Sequence, residues 1–295
     1  MSRSTYRGRF APSPTGKLHF GSLVAAVGSF LDARHHKGEW LVRIEDLDRT
    51  REIPGSAAEI LSSLEAFALY WDGEVIYQSR RTASYAEVVE QLLAADLAYP
   101  CSCSRKEIRE RARIGPEGPI YPGTCRCGKK PVIATNSIRL VTEDREILVE
   151  DRLQGMFRQN PGTEIGDFVI RRVDGYHAYQ LAVVVDDAWQ KITDVVRGAD
   201  LLSSTPRQCY LQQLLGLQQP NYLHLPLAVD NRGRKLSKQD QDRPVDLNDP
   251  VASILSVLEF LKQPLPAERP ENPETLWQWA IPRWRMGTIP GKAPR

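Results

Sequence analysis

Arg9-Phe10-Ala11-Pro12-Ser13-Pro14-Thr15-Gly16-Lys17-Leu18-His19-Phe20-Gly21-Ser22 is the stretch that decides the fold. Residues 6–12 read as a short strand entering a turn, and Pro12, Ser13, Pro14, Thr15 and Gly16 forbid regular structure beyond it. From about Phe20 to His36 the apolar residues Leu23, Val24, Val27, Phe30 and Leu31 fall at helical spacing. A strand, a stiff turn and a helix start bring free backbone N–H groups and a positive dipole end to one point, which suits a phosphate. His19 at that point can hydrogen-bond a phosphate oxygen. Gly21, lacking Cβ, lets a flat base or a ribose approach the backbone, and the two prolines aim the turn.

Working outward, Trp40 to Ile44 is a strand candidate followed by the acidic turn Glu45-Asp46-Leu47-Asp48. Pro54 stands near the start of a helical stretch running through Leu69, and Ser84 to Leu97 reads as a third helix. Strands alternating with helices argue for an α/β fold, a parallel sheet with crossover helices. The composition then changes. Residues 101–130 hold four cysteines, several Gly and Pro, and the basic cluster Arg105, Lys106, Arg109, Arg111 and Arg113. Ser137 to Val149 is strand-like and short. Tyr179 to Asp187 is a nearly continuous apolar run, read as a buried parallel strand that ends in Asp186 and Asp187 at the ligand edge. Thr205 to Leu217 is helical, Asn221 to Val229 is a strand, and a polar loop with Gly233 and Lys235 follows. The expected organisation is a catalytic α/β unit of residues 1–97 and 179–245, an insertion over 98–178, and a short helical tail over 246–295.

The chain has 295 residues, 41% hydrophobic and 26% charged, with a formal net charge of +2. That balance excludes a disordered chain and leaves any nucleic-acid contact to local patches. Gly28 and Ser29 break the apolar run Leu23–Leu31, which is far short of the roughly 20 residues of a membrane span. The N-terminus lacks the apolar segment of a signal peptide, so a cytoplasmic protein is expected. In a reducing compartment Cys101, Cys103, Cys125 and Cys127 read as metal ligands before disulfides, and spacing alone suggests four thiolates. Cys209 lies in a helical stretch and reads as packing. Gly123-x-x-x-x-Gly128-Lys129-Lys130 nearly spells a phosphate loop but lacks the closing Ser or Thr. The tail carries Trp277, Trp279 and Trp284 with Arg283, Arg285, Lys292 and Arg295, which fits either contact with RNA or a terminal helix packed on the main body.

The second chemical constellation is Lys235-Leu236-Ser237-Lys238-Gln239 in the loop after a strand. Two lysines three residues apart can close on a polyphosphate and offset charge on a transferring phosphorus. Together with the first stretch, this loop resembles the two signatures of the class I aminoacyl-tRNA synthetases. The longer string Arg9–His19 is similar to the glutamyl enzymes. So are Arg43-Ile44-Glu45-Asp46-Leu47-Asp48, Val183–Asp187 and Val196–Pro206. Phe20, Ser22 and Gln239 depart from the signatures at side positions. Only 56 residues follow Gln239 in this sequence, too few for an anticodon-reading helical domain, and this resembles the truncated paralogues of the glutamyl-tRNA synthetases.

The resemblance implies a Rossmann-like catalytic core with a zinc-containing insertion and a short helical C-terminal region. It implies activation of L-glutamate with ATP without tRNA, then transfer of glutamate to the queuosine base in the anticodon loop of tRNA(Asp). The open alternatives are a short form charging the 3′ end of tRNA(Glu) and a non-catalytic zinc- and tRNA-binding paralogue. The implied glutamate site is Arg9, Ala11, Ser13, Glu45, Tyr179 and Arg197. A planar, bidentate Arg suits the substrate carboxylate, and Glu45 suits its ammonium. The implied ATP contacts are His19, Gly21, Ser22, Lys235, Ser237 and Lys238. Of these His19, Lys235 and Lys238 are the electrostatic stabilisers, with Mg²⁺ accompanying the nucleotide. The implied zinc ligands are Cys101, Cys103, Tyr121 and Cys125, with Cys127 the rival for the fourth place. A monomer without membrane association is expected.

Overall fold

A computed structural model describes residues 6–128, 136–227 and 245–291. β1 (Arg7–Phe10) leads through the Pro12–Gly16 turn into α1 (Phe20–His35), and β2 (Glu39–Ile44) returns parallel to β1, Arg7 opposite Glu39 and Phe10 opposite Val42. α2 (Ser56–Ala66) crosses to β3 (Ile76–Tyr77), parallel to β2, and α3 (Thr82–Ala94) follows. Next come β4 (Ala98–Cys101), α4 (Arg105–Arg111), the small ribbon β5 (Ile114–Gly115) and β6 (Gly118–Pro119), and β7 (Ser137–Leu140). β8 (Ile147–Asp151), β9 (Gly155–Gln159), α5 (Pro161–Glu164) and β10 (Val169–Arg171) complete this region. α6 (Tyr179–Trp189), β11 (Asp194–Gly198), α7 (Thr205–Leu214) and β12 (Asn221–Leu225) resume the α/β alternation, and α8 (Pro250–Phe260) and α9 (Pro273–Ala280) close the chain.

The two parallel halves meet at β1 and β11. Thr193 N donates to the Arg7 carbonyl at 2.9 Å and Arg7 N donates to Thr193 Oγ1 at 2.8 Å. β11 and β12 pair in parallel from Asp194 opposite Asn221 to Gly198 opposite Leu225. The spatial order is therefore β3, β2, β1, β11, β12, and strand progression reverses between β1 and β11. In such sheets ligands bind outside the carboxyl ends of the strands at that reversal. α1 covers the seam closely. A Cβ on Gly28 would stand 2.5 Å from Leu225 Cδ1, so the glycine is what lets the helix reach β12.

β8 and β9, which lie in the 98–178 stretch, extend the second half of this sheet. Tyr222 pairs in parallel with Asp151, and β8 pairs antiparallel with β9. β10, β7 and β4 form a separate antiparallel sheet.

The Tyr179–Asp187 run is a helix, contrary to the buried strand expected from its apolar continuity. α6 is wedged so deeply that Leu181, Ala182, Val183, Val184, Asp186 and Asp187 are all buried. A helix apolar on nearly every side shows no 3.6-residue stripe, and three consecutive valines tilt a local reading toward a strand. Asp186 and Asp187 therefore sit in the last turns of a helix and not at the end of a strand.

The tail packs onto α1 and α2. Trp277 Nε1 donates to the Phe67 carbonyl at 2.8 Å and Trp284 Nε1 donates to Asp32 Oδ1 at 3.0 Å. Asp32 also accepts from Tyr6 at 2.6 Å and from both terminal nitrogens of Arg152 at 2.6 and 3.1 Å. One wholly buried carboxylate thus ties α1 to the start of β1, to the β8–β9 turn and to the tail. Burial pushes its titration up, but the Arg152 guanidinium and the Tyr6 and Trp284 hydrogen bonds outweigh this and hold it below the usual carboxylate range.

Asp32→Ala is expected to destabilise the fold by about 3–5 kcal/mol, because it strands the Arg152 charge and two other donors. Chemical denaturation at neutral pH would show it, and a loss within about 0.5 kcal/mol would remove Asp32 from this role.

Candidate active site

The turn after β1 is pinned before any substrate arrives. Glu45 N donates to the Pro12 carbonyl at 2.9 Å and Ile53 N to the Pro14 carbonyl at 3.0 Å. Gly16 N donates to Ser56 Oγ at 3.0 Å, and Ser56 Oγ returns a 2.6 Å bond to the Gly16 carbonyl. Gly16 has φ of 148°, a conformation few other residues adopt. Ala11 is half-buried and Ser13 exposed on this turn. His19 caps α1, Nδ1 accepting from Ser22 N at 3.3 Å, with Ser22 Oγ 2.9 Å from Nε2. A Cβ on Gly21 would lie 3.4 Å from the His19 ring, so residues 19, 21 and 22 occupy one corner at the helix start.

Beneath that corner lies a buried charge network. Arg9 on β1 is 3% exposed, and its Nε and Nη2 face the two oxygens of Asp187 at 3.2 and 3.3 Å. Its Nη1 makes no hydrogen bond among the described residues. Arg43, fully buried on the apolar strand β2, points to Asp187 at 2.8 Å and donates to Gln190 Oε1 at 2.6 Å. Its Nη2 also lies 3.4 Å from Glu45.

The same network reaches the other half of the fold. Asp186, next to Asp187 on α6, accepts from Gln78 at 2.9 Å, Arg81 at 2.7 Å and Tyr85 at 2.7 Å. Burial raises the Asp187 titration, and Arg9 and Arg43 more than reverse it, leaving the carboxylate below its usual range. Glu45 goes the other way: burial outweighs the attraction of Arg43 and Arg9, and its carboxyl is pushed up.

Arg197 stands on β11, across the β1–β11 reversal from Arg9, and is 4% exposed. Its Nη1 donates to the Tyr179 hydroxyl at 3.3 Å, and its Nη2 donates to Thr205 Oγ1 and Gln208 Oε1, both at 2.8 Å. Burial raises the Tyr179 titration. Arg197 and Arg9 pull it down and Glu45 pushes it up, which puts all four groups within electrostatic reach of one another. The structure thus gathers Arg9, Glu45, Tyr179 and Arg197 at the reversal between β1 and β11. Lys235, Ser237, Lys238 and Gln239 lie outside the described residues. Arg43, Asp187, Thr205 and Gln208 belong to the site although the sequence reading assigned them no substrate role. The available signal was Arg43 itself, a charge inside Trp40-Leu41-Val42-Arg43-Ile44 that has to be buried with a partner.

A second cluster forms below β4. The sulfurs of Cys101, Cys103 and Cys125 lie within 4.8 Å of one another and could hold a metal ion. The Tyr121 hydroxyl is 3.3 Å from Cys101 Sγ and 3.6 Å from Cys103 Sγ, and it accepts from Cys125 N at 3.0 Å. Cys127 is exposed and outside the cluster. Burial pushes the Cys125 thiol up, but hydrogen bonds from Tyr121, the Ser102 backbone and the neighbouring thiols bring it down to about 7. A thiol so easily ionised is a ready metal ligand. The Arg139 guanidinium donates to Cys101 Sγ at 3.3 Å and lies 3.9 Å over the Tyr121 ring, adding positive charge beside the sulfurs.

The family described as tRNA synthetases class I (E and Q), catalytic domain, matches residues 5–252, and the chain belongs to it. The chain is 50% identical over 290 residues to the glutamyl-Q tRNA(Asp) synthetase of Chromobacterium violaceum, covering 98% of this chain and 97% of that one. It is 52% identical over 289 residues to the protein of that name from Pseudomonas aeruginosa, covering 97% and 96%. Identity at this level over nearly the whole length places it among the glutamyl-Q tRNA(Asp) synthetases. Its fold also matches a glutamate tRNA ligase from Elizabethkingia meningosepticum, solved in complex with its amino acid, with a TM-score of 0.81 and 28% identity. The glutamate-tRNA synthetase of Elizabethkingia anophelis matches with a TM-score of 0.82 and 27% identity. This chain spans 66% and 67% of those two chains, about two thirds of their length. Among the described residues no helix is long and apolar enough to cross a membrane.

Asp187→Asn leaves Arg9 and Arg43 sharing too little negative charge and is expected to cost about 3–5 kcal/mol. Because the folded-state titration of Asp187 is lowered, its contribution is complete above pH of about 4 and disappears as pH falls through the lowered value. The stability difference between wild type and Asp187→Asn should therefore shrink on acidification. A gap that widens below pH of about 4 would contradict the pairing.

Proposed function

We propose that this chain activates L-glutamate with ATP in the absence of tRNA and transfers the glutamyl group to the queuosine base in the anticodon loop of tRNA(Asp). The observation that carries this reading is the paired guanidinium frame. Arg197 donates to the Tyr179 hydroxyl, and Arg9 and Glu45 both act on that phenol electrostatically, in a chain whose curated relatives are named glutamyl-Q tRNA(Asp) synthetases. The Arg197 Nη1 edge and the Tyr179 hydroxyl suit one substrate carboxylate. Arg9 Nη1, Ala11 and Ser13 border the site, and Glu45 suits the ammonium. A cation beside Glu45 would restore the charge that burial works against.

In the first step a glutamate carboxylate oxygen forms a bond to the α-phosphorus of ATP, and the bond to the β-phosphate oxygen breaks. Pyrophosphate departs with the electron pair. Positioning and charge stabilisation suffice for such a transfer, and no protein nucleophile is needed. His19 with Gly21 and Ser22 at the α1 start, together with Lys235, Ser237 and Lys238, are assigned to the phosphates. Mg²⁺ bound with ATP would supply further charge neutralisation at the phosphates. In the second step a hydroxyl of the queuosine diol attacks the acyl carbon and AMP leaves.

Cys101, Cys103, Cys125 and the Tyr121 phenol are assigned to one structural Zn²⁺. Four protein ligands leave it no open position for catalysis. The Cys103 and Cys125 sulfurs are 3.5 Å apart, near the roughly 3.8 Å separation that tetrahedral Zn–S bonds of about 2.3 Å require. Residues 98–178 are the inserted region between the catalytic segments 1–97 and 179–245, and 246–295 the tail.

Pyrophosphate exchange should respond to glutamate, not glutamine, with no tRNA present. Acceptance should follow queuosine in tRNA(Asp). Exchange that requires tRNA(Glu), with an ester on its terminal adenosine, would instead establish a short charging enzyme. Lys238→Ala should cut exchange by about a hundredfold or more with the thermal melt unchanged, the scale of one lost stabiliser of developing charge. Metal analysis should find one zinc per chain, lost in Cys125→Ser and kept in Cys127→Ser. Equal loss in both would point to four thiolates.

A further inference from the structure

His224 stands on β12 behind Arg197, fully buried, with every polar atom engaged. Asp151, at the end of β8, receives its Nδ1 at 2.6 Å and its backbone N at 3.1 Å. Asp151 also accepts from Leu153 N at 3.0 Å and Gln154 N at 2.7 Å, so the carboxylate is built into the β8–β9 turn and cannot swing away. Burial raises its titration, and the His224 hydrogen bond together with the backbone donors brings it below the usual carboxylate range. An ionised acceptor at 2.6 Å requires the proton on Nδ1. Nε2 then carries a lone pair, with the Arg197 Nε–H at 3.0 Å and the Thr205 hydroxyl at 3.1 Å from it.

The consequence lies in how the five guanidinium donors of Arg197 are spent. Nε goes to His224, and both Nη2 hydrogens go to Thr205 and Gln208. Gln208 is itself held, donating to Gln180 Oε1 at 2.9 Å, while Gln180 donates to Ser204 at 3.0 Å. One Nη1 hydrogen goes to the Tyr179 hydroxyl, and the second Nη1 hydrogen is the one donor left for a ligand. The other tautomer of His224 would point an N–H at the Arg197 Nε–H, and two donors 3.0 Å apart would push the guanidinium out of this plane.

We propose that His224, fixed as the Nδ1-protonated tautomer by Asp151, is a positioning residue that sets the plane of Arg197 so that Nη1 and the Tyr179 hydroxyl present paired donors to the amino-acid carboxylate. The proposal rests on the assignment of Arg197 to glutamate. Asp151 lies in the 98–178 stretch, so the inserted region supplies part of the support beneath the amino-acid pocket.

Glutamate-dependent ATP–pyrophosphate exchange separates these roles. His224→Asn keeps a donor for Asp151 but has no acceptor at the Nε2 position. His224→Gln places its side-chain oxygen near that position. His224→Asn should raise KM for glutamate about tenfold or more, as for one hydrogen bond to a charged group, with KM for ATP within about twofold and His224→Gln recovering most of the loss. Arg197→Gln is the control. If it raises KM for glutamate while His224→Asn does not, the positioning role is overturned. If neither changes KM for glutamate, the assignment of Arg197 has failed instead. Nitrogen-15 NMR of the wild-type imidazole decides the tautomer even where a variant fails to fold. A proton on Nδ1 with an unprotonated Nε2 is expected, and a proton on Nε2 at neutral pH would overturn the proposal.

Discussion

Asp187 between Arg9 and Arg43 is the contact on which the rest of the molecule depends. It joins the last turns of α6 to β1 and β2, elements that the sequence separates by more than a hundred residues. Neither arginine could be buried without it, since an unpaired guanidinium in the interior costs several kcal/mol. Asp186, one position earlier, does the same for α3 and the turn before it through Gln78, Arg81 and Tyr85. Two adjacent acids on one helix therefore close the α/β unit around the intervening region. That closure leaves Arg9 with one terminal nitrogen, Nη1, that makes no hydrogen bond among the described residues.

The same economy recurs at two further buried carboxylates. Asp32 collects donors from β1, the β8–β9 turn and the tail, and Asp151 collects them from that turn and β12. None of these acids is spare. Each is held in its charged form by named donors, so the protein carries its polar order in the interior while its net charge remains close to zero. The cysteine cluster is different in kind. There the thiols and the Tyr121 phenol outnumber the positive groups, with Arg139 alone leaning on both, which is the imbalance a divalent cation corrects.

Much of this is legible in the sequence. The run Arg9–Ser22 carries its own turn chemistry, and its strand, bend and helix fell where the prolines and the apolar spacing put them. Glu45, Tyr179 and Arg197 followed from the likeness of their surroundings to known synthetases, and they do converge. The α6 segment failed because burial on all sides erases the stripe that distinguishes a helix from a strand. Its two aspartates were consequently assigned to an edge when they are the centre of the network. His224 was invisible for another reason. Its partner Asp151 lies 73 residues away, in a stretch read as a separate insertion, and no local pattern announces a contact of that range. The exposed position of Cys127 likewise depends on a loop path that cysteine spacing does not encode.

The seam between β1 and β11 has a consequence for synthesis on the ribosome. The bonds between Arg7 and Thr193 close a separation of 186 residues, whereas β2 can cover the other side of β1 almost as soon as it emerges. At about 5–20 residues per second, one edge of the first strand waits roughly 10–40 s for its neighbour. During that interval it is an open strand edge of the kind that recruits wrong partners. Arg7 and Arg9 alternate along this strand with only Gly8 between them, so the waiting edge is basic and short. A short, charged edge of this kind disfavours pairing with a second chain.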